Sequence, residues 1–588
     1  MLDFQIENSD VVQNIQKILI SIERSNQTIE ELKTIVPTLE QNLLFLNSID
    51  DTEINFNAIT RMSYFYVCIH NYQKAEFWLS KIENSVFNTD DTWRILKMLL
   101  VPILTTGDFD NTHNESTIIQ KLHFNLDSLI QMPFVKTNNI NIFGHTFWYA
   151  YYNHNPKLLL EKYVKLQMKI FPNISQKVLY DKNYHSQKRQ KEKLEGIVKI
   201  KLGVISCSLE HDINIQDLGI HTSSISDSFY PTFLQFSKNK FDVYFIHLFR
   251  GNDFKISNNH IFIPEYHTEE QVLHTQKQLA LLNFDILLYL EFHMKFKMNY
   301  LAFSKVAPIQ ICTHGHPITT GIPNHIMDYF FSWKAAEKDN AQNNYSEKLV
   351  LLPEEHIWEY YIPRNKNGFS LLTRKKWFHY DKNNIDFLPY SLREAQSYYN
   401  WYFCSQASFK LHHKFDQVLK GILEKDKKAL IFLIINQKDL HNIHEELKNR
   451  FISKNIDIQR IIFLDKLPHH HLMAMYANSE IILDSWFFGG DTTTRESIET
   501  GTPIITLPHD YLGSRWTQAY YILLGLQELI INNFEEYIDK AVEIANNKKY
   551  RHELKIKILD SKQKLFYRTE SIKMWEDSLL DVYQKHLF

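Results

Sequence analysis

Chemistry is most legible in Ile481-Ile482-Leu483-Asp484-Ser485-Trp486-Phe487-Phe488-Gly489-Gly490-Asp491-Thr492-Thr493-Thr494-Arg495-Glu496. An apolar run of strand length ends at Asp484, and two glycines then let the backbone turn where a Cβ would clash. Three threonines open Ser497-Ile498-Glu499-Thr500, a short helix stopped by Gly501. A helix start offers unpaired N–H groups and the positive end of a dipole, as a phosphate requires, and the threonine hydroxyls add donors. Glu496, one turn in, is placed to accept hydrogen bonds from a ribose. An ordinary capped helix fits the same residues.

Further polar groups fall at strand ends. His293 follows the run Asp285-Ile286-Leu287-Leu288-Tyr289-Leu290, and His314 and His316 flank Gly315 after Pro308-Ile309-Gln310-Ile311-Cys312. With 28 histidines in the chain, some such placements arise by coincidence. The run His469-His470-His471 is a poor metal site, because adjacent side chains diverge.

The elements that must hold these groups alternate. From about Ile197, β-branched runs (Ile197–Ser206, Phe241–Leu248, His260–Ile263) give way to a helical pattern, Glu269–Leu282, and then to the strands at Asp285 and Pro308. Alternation lapses between Leu352 and Tyr390 and resumes at Trp401-Tyr402-Phe403-Cys404. A helix from Phe409 to Leu423, a strand at Ala429–Ile435, a helix to about Phe451, and strands near Ile461, Ile481 and Pro503 follow. This predicts two parallel α/β sheets in sequence with a cleft between them, ligands settling at the carboxyl ends of the strands. Residues 1 to about 190 instead repeat apolar positions at helical spacing, as in Ile15-Ile18-Leu19-Ile22 and Leu32-Ile35-Val36-Leu39. Ala75-Glu76-Phe77-Trp78-Leu79 faintly resembles a tetratricopeptide helix, without a fixed period. Asp108–Ser116 reads as a surface loop.

A chain of 588 residues with 44% hydrophobic side chains has room for several cores, and a net charge of −3 leaves no electrostatic footprint for nucleic acid or anionic lipid. Four dispersed cysteines fit a reduced compartment. No signal peptide opens the chain and no apolar run reaches ~20 residues, so a soluble, cytoplasmic protein is expected.

Three blocks resemble the catalytic region of the O-linked N-acetylglucosamine transferase family, including its bacterial relatives and the cytoplasmic N-glucosyltransferases that modify adhesins. They are Ala307-Pro308-Ile309-Gln310-Ile311-Cys312-Thr313-His314-Gly315-His316-Pro317-Ile318-Thr319-Thr320-Gly321 with Met327-Asp328-Tyr329; Tyr345-Ser346-Glu347-Lys348-Leu349; and the threonine-rich stretch extended through Gly501-Thr502-Pro503, Ser514-Arg515 and Leu524-Gly525. Order and spacing agree over roughly residues 197 to 550.

The resemblance implies an α/β fold of GT-B type. Residues 1–190 would form an all-α N-terminal domain, 197–352 a first Rossmann-like lobe on the acceptor side and 353–395 an inter-lobe connection. Residues 396–570 would form a second, UDP-sugar-binding lobe, and 571–588 a helix packing back. It further implies an inverting enzyme that moves a sugar, first choice GlcNAc, from a UDP-sugar to Ser or Thr of a protein or peptide acceptor. The alternatives are UDP-glucose transfer to Asn, and a scaffold that keeps the fold. No cofactor or metal is expected: no Asp-x-Asp follows a strand, so protein donors must neutralise the diphosphate. The helical N-terminal domain is a candidate platform for acceptor proteins.

Residue by residue, Lys410 in Ser408-Phe409-Lys410-Leu411 is similar to the family's diphosphate-contacting lysine and is placed at the start of the second lobe's first helix. Thr492 and Thr493, beside Gly490, match the phosphate-binding threonines, and Glu496 the acidic residue near the ribose. Asp491 departs from the histidine of the eukaryotic enzymes. A carboxylate beside a diphosphate repels it unless it turns toward sugar hydroxyls. His221, in Gly219-Ile220-His221-Thr222-Ser223, resembles a histidine facing sugar or acceptor and is the nominated base, with His293 as a second catalytic candidate. A one-residue shift assigns His471 to a diphosphate-contacting histidine. The backbone near Leu467 is assigned to the uracil edge, and His316 to the donor site.

Overall fold

The computed structural model describes residues 15, 36–41, 43–44, 58–60, 62–63, 66, 72–81, 91–99, 115–137, 140–209, 223–364, 399–435, 443–465 and 467–587. Described residues before 200 are mostly helical, with helices Tyr72–Lys81, Thr92–Leu99, Glu115–Gln131, Lys157–Ile170 and Lys182–Glu195. Glu115 and Ser116, read from the sequence as loop, open a helix instead.

The first lobe is an eight-stranded sheet. Its strands are β1 (Ile200–Ser206), β2 (Phe241–Leu248), β3 (Lys255–Ser257), β4 (His260–Ile263), β5 (Ile286–Tyr289), β6 (Ile309–Thr313), β7 (Tyr329–Trp333) and β8 (Lys348–Leu352). The order is β3-β4-β2-β1-β5-β6-β7-β8, parallel except for the β3–β4 hairpin. The second lobe has β9 (Asn400–Cys404), β10 (Ala429–Ile434), β11 (Ile461–Leu464), β12 (Ile481–Leu483) and β13 (Ile504–Ile505), in the order β11-β10-β9-β12-β13, all parallel. The near-continuous aliphatic and aromatic runs of β1, β5, β9 and β10 suit strands covered on both faces, and almost every residue in them is buried.

Topology alone fixes where a ligand would sit. In the second lobe the chain runs outward from β9 through β10 to β11, then returns to the other side of β9 with β12. The switch point therefore lies between the carboxyl ends of β9 and β12. Those ends lead into Ser405–Lys410 and into Asp484–Thr493 respectively, so the glycine–threonine turn and Lys410 meet by construction. The first lobe switches likewise between β1 and β5, where Ser206 Oγ and the Cys207 N–H both donate to Glu291 Oε1 at 2.8 Å.

The C-terminal helix Thr569–Leu587 packs on the first lobe. Trp575 Nε1 donates to the Trp358 carbonyl at 2.6 Å, the Ser237 N–H to Glu576 at 2.6 Å, and Tyr583 OH to Glu192 at 2.8 Å. The N-terminal helices are tied to the same lobe through Tyr300 OH on the Ile140 carbonyl, 2.7 Å, and Ser346 Oγ on Glu161, 2.8 Å. No described helix is long and apolar enough to cross a membrane.

Candidate active site in the inter-lobe cleft

A cavity of about 490 Å³ opens between the lobes. Lys410, Asp491, Thr492, Thr493 and Glu496 line it from the second lobe and His316 from the first. The helix Thr492–Thr500 begins at its wall and is ended by Gly501 at φ 76°, a left-handed position that favours glycine. Asp491 is the N-cap residue but makes no side-chain cap. Its carbonyl takes the Thr494 and Arg495 N–H groups, so those of Thr492 and Thr493 are the ones a helix start leaves for a ligand.

Lys410 is joined to that helix by one residue that sequence reading missed. Its Nζ donates to Gln406 Oε1 at 3.1 Å, and Gln406 Nε2 donates to Thr493 Oγ1 at 2.6 Å. The ammonium also lies 4.7 Å from the Phe488 ring centroid. Burial lowers the Lys410 pKa to about 8, against the pull of Asp484 and Asp491. Lys410 is not at a helix start as expected. It closes a 3-10 turn, Ser408–Lys410, and the α-helix begins only at Asp416. Leu411, at ψ 82°, breaks the helical path between them.

Gly490 lies beneath the start of this helix, against Thr493 and Gln406. Its N–H donates to Asp484 Oδ1 at 2.8 Å, and Thr506 Oγ1 holds the other carboxylate oxygen at 2.8 Å. A Cβ here would collide with Thr493 Oγ1 and stand 2.5 Å from Gln406 Nε2. On the expectation of a UDP-sugar donor, Gly490→Ala should displace both groups and weaken UDP binding ~10-fold or more, the value of a hydrogen bond to a charged group. Isothermal titration with UDP checks this.

One oxygen of Asp491 is turned into the second lobe. This oxygen, Oδ1, accepts from both Arg495 Nη1 and Tyr520 OH. Arg495 is buried, stacked 3.5 Å from the Tyr361 ring centroid, and reaches Thr492 Oγ1 at 3.2 Å and Ser228 Oγ of the first lobe at 3.1 Å. Glu496 also lines the cavity, but protein groups already engage it. Arg364 Nη1 (2.8 Å) and His469 Nε2 (3.2 Å) meet Oε1, and Tyr476 OH donates to Oε2 at 3.3 Å. These occupy three of the roughly four lone-pair positions of a carboxylate, so a ribose finds one open or must displace Arg364. Burial pushes the Glu496 pKa up, yet His469 and Arg364 hold it below the usual carboxylate range. Arg364 also pairs with Asp227 of the first lobe and so bridges the lobes.

The histidines separate. His221 lies outside the described residues. His293 is turned into the first lobe: its backbone has φ 63°, Nε2 is 3.2 Å from the Thr319 carbonyl, and Nδ1 is 3.1 Å from Asn299 Nδ2. A neutral ring donating through Nε2 and accepting at Nδ1 satisfies both contacts, and burial lowers its pKa to about 4. His293 is thus a satisfied core histidine, not a group presented to the cleft.

His316 lines the cavity, its ring 5.0 Å from that of Phe147 and its Nε2 3.2 Å from the Phe147 carbonyl; burial brings its pKa to about 3. The triple histidine opens the helix His469–Asn478. His471 is buried there, while Leu467 and Leu472 line the cavity and His469 is the one that reaches Glu496. His314 was noticed in the sequence without its partner Glu359, whose buried carboxyl lies 3.2 Å from Nε2. Burial pushes the Glu359 pKa to about 8. Among the described residues, no three His, Cys, Asp or Glu side chains form a metal-ion cluster.

Against known proteins, residues 401–570 match the model of glycosyl transferase family 41. The chain is 25% identical over 266 residues to the probable UDP-N-acetylglucosamine–peptide N-acetylglucosaminyltransferase SEC of Arabidopsis thaliana, covering 45% of this chain and 25% of that protein. It is 26% identical over 254 residues to the SPINDLY protein of Solanum lycopersicum, also named a probable UDP-N-acetylglucosamine–peptide N-acetylglucosaminyltransferase, covering 41% and 24%. The matched stretch thus spans about a quarter of the length of these relatives. A solved mutant of the Thermobaculum terrenum O-GlcNAc transferase superposes with a TM-score of 0.58 at 16% identity, covering 99% of this chain and 98% of that one. The two-lobed architecture is the GT-B fold, and the sequence is O-GlcNAc transferase-like.

Proposed function

We propose that this chain is a UDP-sugar-dependent protein glycosyltransferase. It transfers the sugar with inversion and without a metal, GlcNAc to Ser or Thr being the first choice. The observation that carries this reading is the linked set Lys410–Gln406–Thr493 at a helix start in the inter-lobe cleft. A UDP leaving group gains negative charge as the bond to the sugar breaks. N–H groups of Thr492 and Thr493, their hydroxyls and the Lys410 ammonium are fixed donors for that charge. Being held in place before reaction, they need little reorganisation during it. The names of the relatives support a protein acceptor, and the acceptor's proton goes to a side chain within ~3 Å of the attacking atom, to the donor phosphate or through water. His221 remains the nominee for that side chain.

The test is UDP release by purified protein from a panel of UDP-sugars, with and without an acceptor peptide. Release from UDP-GlcNAc supports the first choice. Release from UDP-glucose alone, with Asn modified, replaces it with N-glucosyl transfer. Neither release nor binding for any nucleotide sugar leaves the scaffold reading.

A further inference from the structure

The Asp491 carboxylate is split between two tasks. Its Oδ1 is held inside the second lobe by two donors, Arg495 Nη1 and Tyr520 OH. Both belong to buried side chains, and Arg495 is itself locked by Tyr361, Ser228 and Thr492. The carboxylate cannot swing far, yet it lines the cleft and its side chain keeps 26% of its surface exposed. No contact among the described residues takes Oδ2. A lone-pair oxygen is thereby held at the cavity wall, one residue before the helix start that would cradle a diphosphate. Its charge is largely offset by the Arg495 guanidinium behind it, which weakens repulsion toward phosphate. An oxygen of this kind recognises O–H or N–H donors, and a nucleotide sugar carries such donors on both sides of its diphosphate, on the ribose and on the hexose. Glu496, one turn further along the helix, also lines the cavity and is the acidic residue expected near the ribose, which leaves the hexose for Asp491.

We propose that Asp491 Oδ2 is a specificity element for the donor sugar, accepting a hydroxyl of the transferred hexose while Arg495 and Tyr520 hold the carboxylate in place. This rests on the UDP-sugar reading above and adds which part of the donor Asp491 recognises: the sugar, not the nucleotide.

Asp491→Asn separates the two oxygens. Facing two donors, the amide must keep its oxygen toward Arg495 and Tyr520, so its NH₂ replaces the acceptor at the cleft. Calorimetric titrations with UDP, UDP-glucose and UDP-GlcNAc on both proteins give the ratio of UDP-sugar to UDP dissociation constants. That ratio is expected to rise ~10-fold or more in the variant for the sugar nucleotide the unaltered protein binds better, the value of a charge-assisted hydrogen bond. An unchanged ratio, whether the individual affinities fall together or stay put, overturns the proposal. If Asp491→Asn fails to fold, single-deoxy analogues of the preferred donor are titrated against the unaltered protein. Loss of one hydroxyl should then weaken binding ~10-fold. Indifference to every deoxygenation overturns the proposal. Failure of the unaltered protein to bind UDP or either UDP-sugar instead removes the glycosyltransferase reading beneath it.

Discussion

Lys410→Ala is expected to lower turnover of the UDP-sugar by ~10² or more, the range for removing one preorganised donor to developing charge. The ammonium lies at the wall of the cleft, joined through Gln406 to the threonine hydroxyl of the phosphate cradle. Burial has already brought its pKa to about 8, although Asp484 and Asp491 oppose this. Part of the desolvation cost is therefore met in the folded protein, before any diphosphate arrives. The sign of the pH effect follows. Lys410 carries its charge below that pKa and loses it above, so kcat/KM, which reports the free enzyme, should fall as pH rises through about 8. A bound diphosphate favours the charged form, so the alkaline limb of kcat should lie at higher pH. Lys410→Ala should flatten both limbs. Turnover within threefold of the unaltered protein, with the alkaline limb intact, would show the lysine to be a wall residue only.

Arg450→Met is expected to have the largest effect on stability. The Arg450 side chain is fully buried, and its Nη2 donates to Asp416 Oδ1 at 2.8 Å and to the Leu411 carbonyl at 3.0 Å. Removing it strands a buried carboxylate whose remaining cation is Lys454, 2.8 Å from Oδ2. Breaking one side of a buried pair costs about 3–5 kcal/mol, and the retained Lys454 contact places this case at the lower end. The Leu411 carbonyl is the next backbone acceptor after Lys410, so the variant should also loosen the Lys410 turn and reduce turnover. Urea unfolding followed by fluorescence measures the loss. The double variant Arg450→Met/Asp416→Leu should recover part of it, because no buried charge is then left unpaired: Lys454, which loses its carboxylate, is 32% exposed and reaches water. A double variant less stable than the single one would contradict the charge account.

The strands and the glycine–threonine helix start were legible because each depends on local pattern. Continuous apolar runs marked β1, β2, β5, β6, β9 and β10, and the glycine–threonine order at Gly490–Thr493 announced a turn and a helix start. β7 and β8 carried no such signal. Tyr329–Trp333 is interrupted by Ser332, and Lys348–Leu352, at the sheet edge, is only partly buried. The Lys410 turn was read as helix because helical apolar spacing, Leu411-Phe415-Val418-Leu419-Ile422, begins directly after it. What interrupts it is the backbone conformation at Leu411, which spacing does not record.

Non-local groups were hidden for a different reason. Gln406 matters only because β9 and β12 are neighbours. Arg364 matters because the inter-lobe segment passes Asp227 and Glu496 together. His293 looked presented at a strand end, and a left-handed backbone turned it inward. Glu496 looked free for a ribose, and its partners come from positions 20, 27 and 132 residues away.

A structure of the protein crystallised with UDP tests the central claim most directly. The account predicts diphosphate oxygens within ~3 Å of the Thr492 and Thr493 N–H groups and of Lys410 Nζ. UDP bound elsewhere, or a diphosphate in the cleft with Lys410 turned out to solvent, would contradict it.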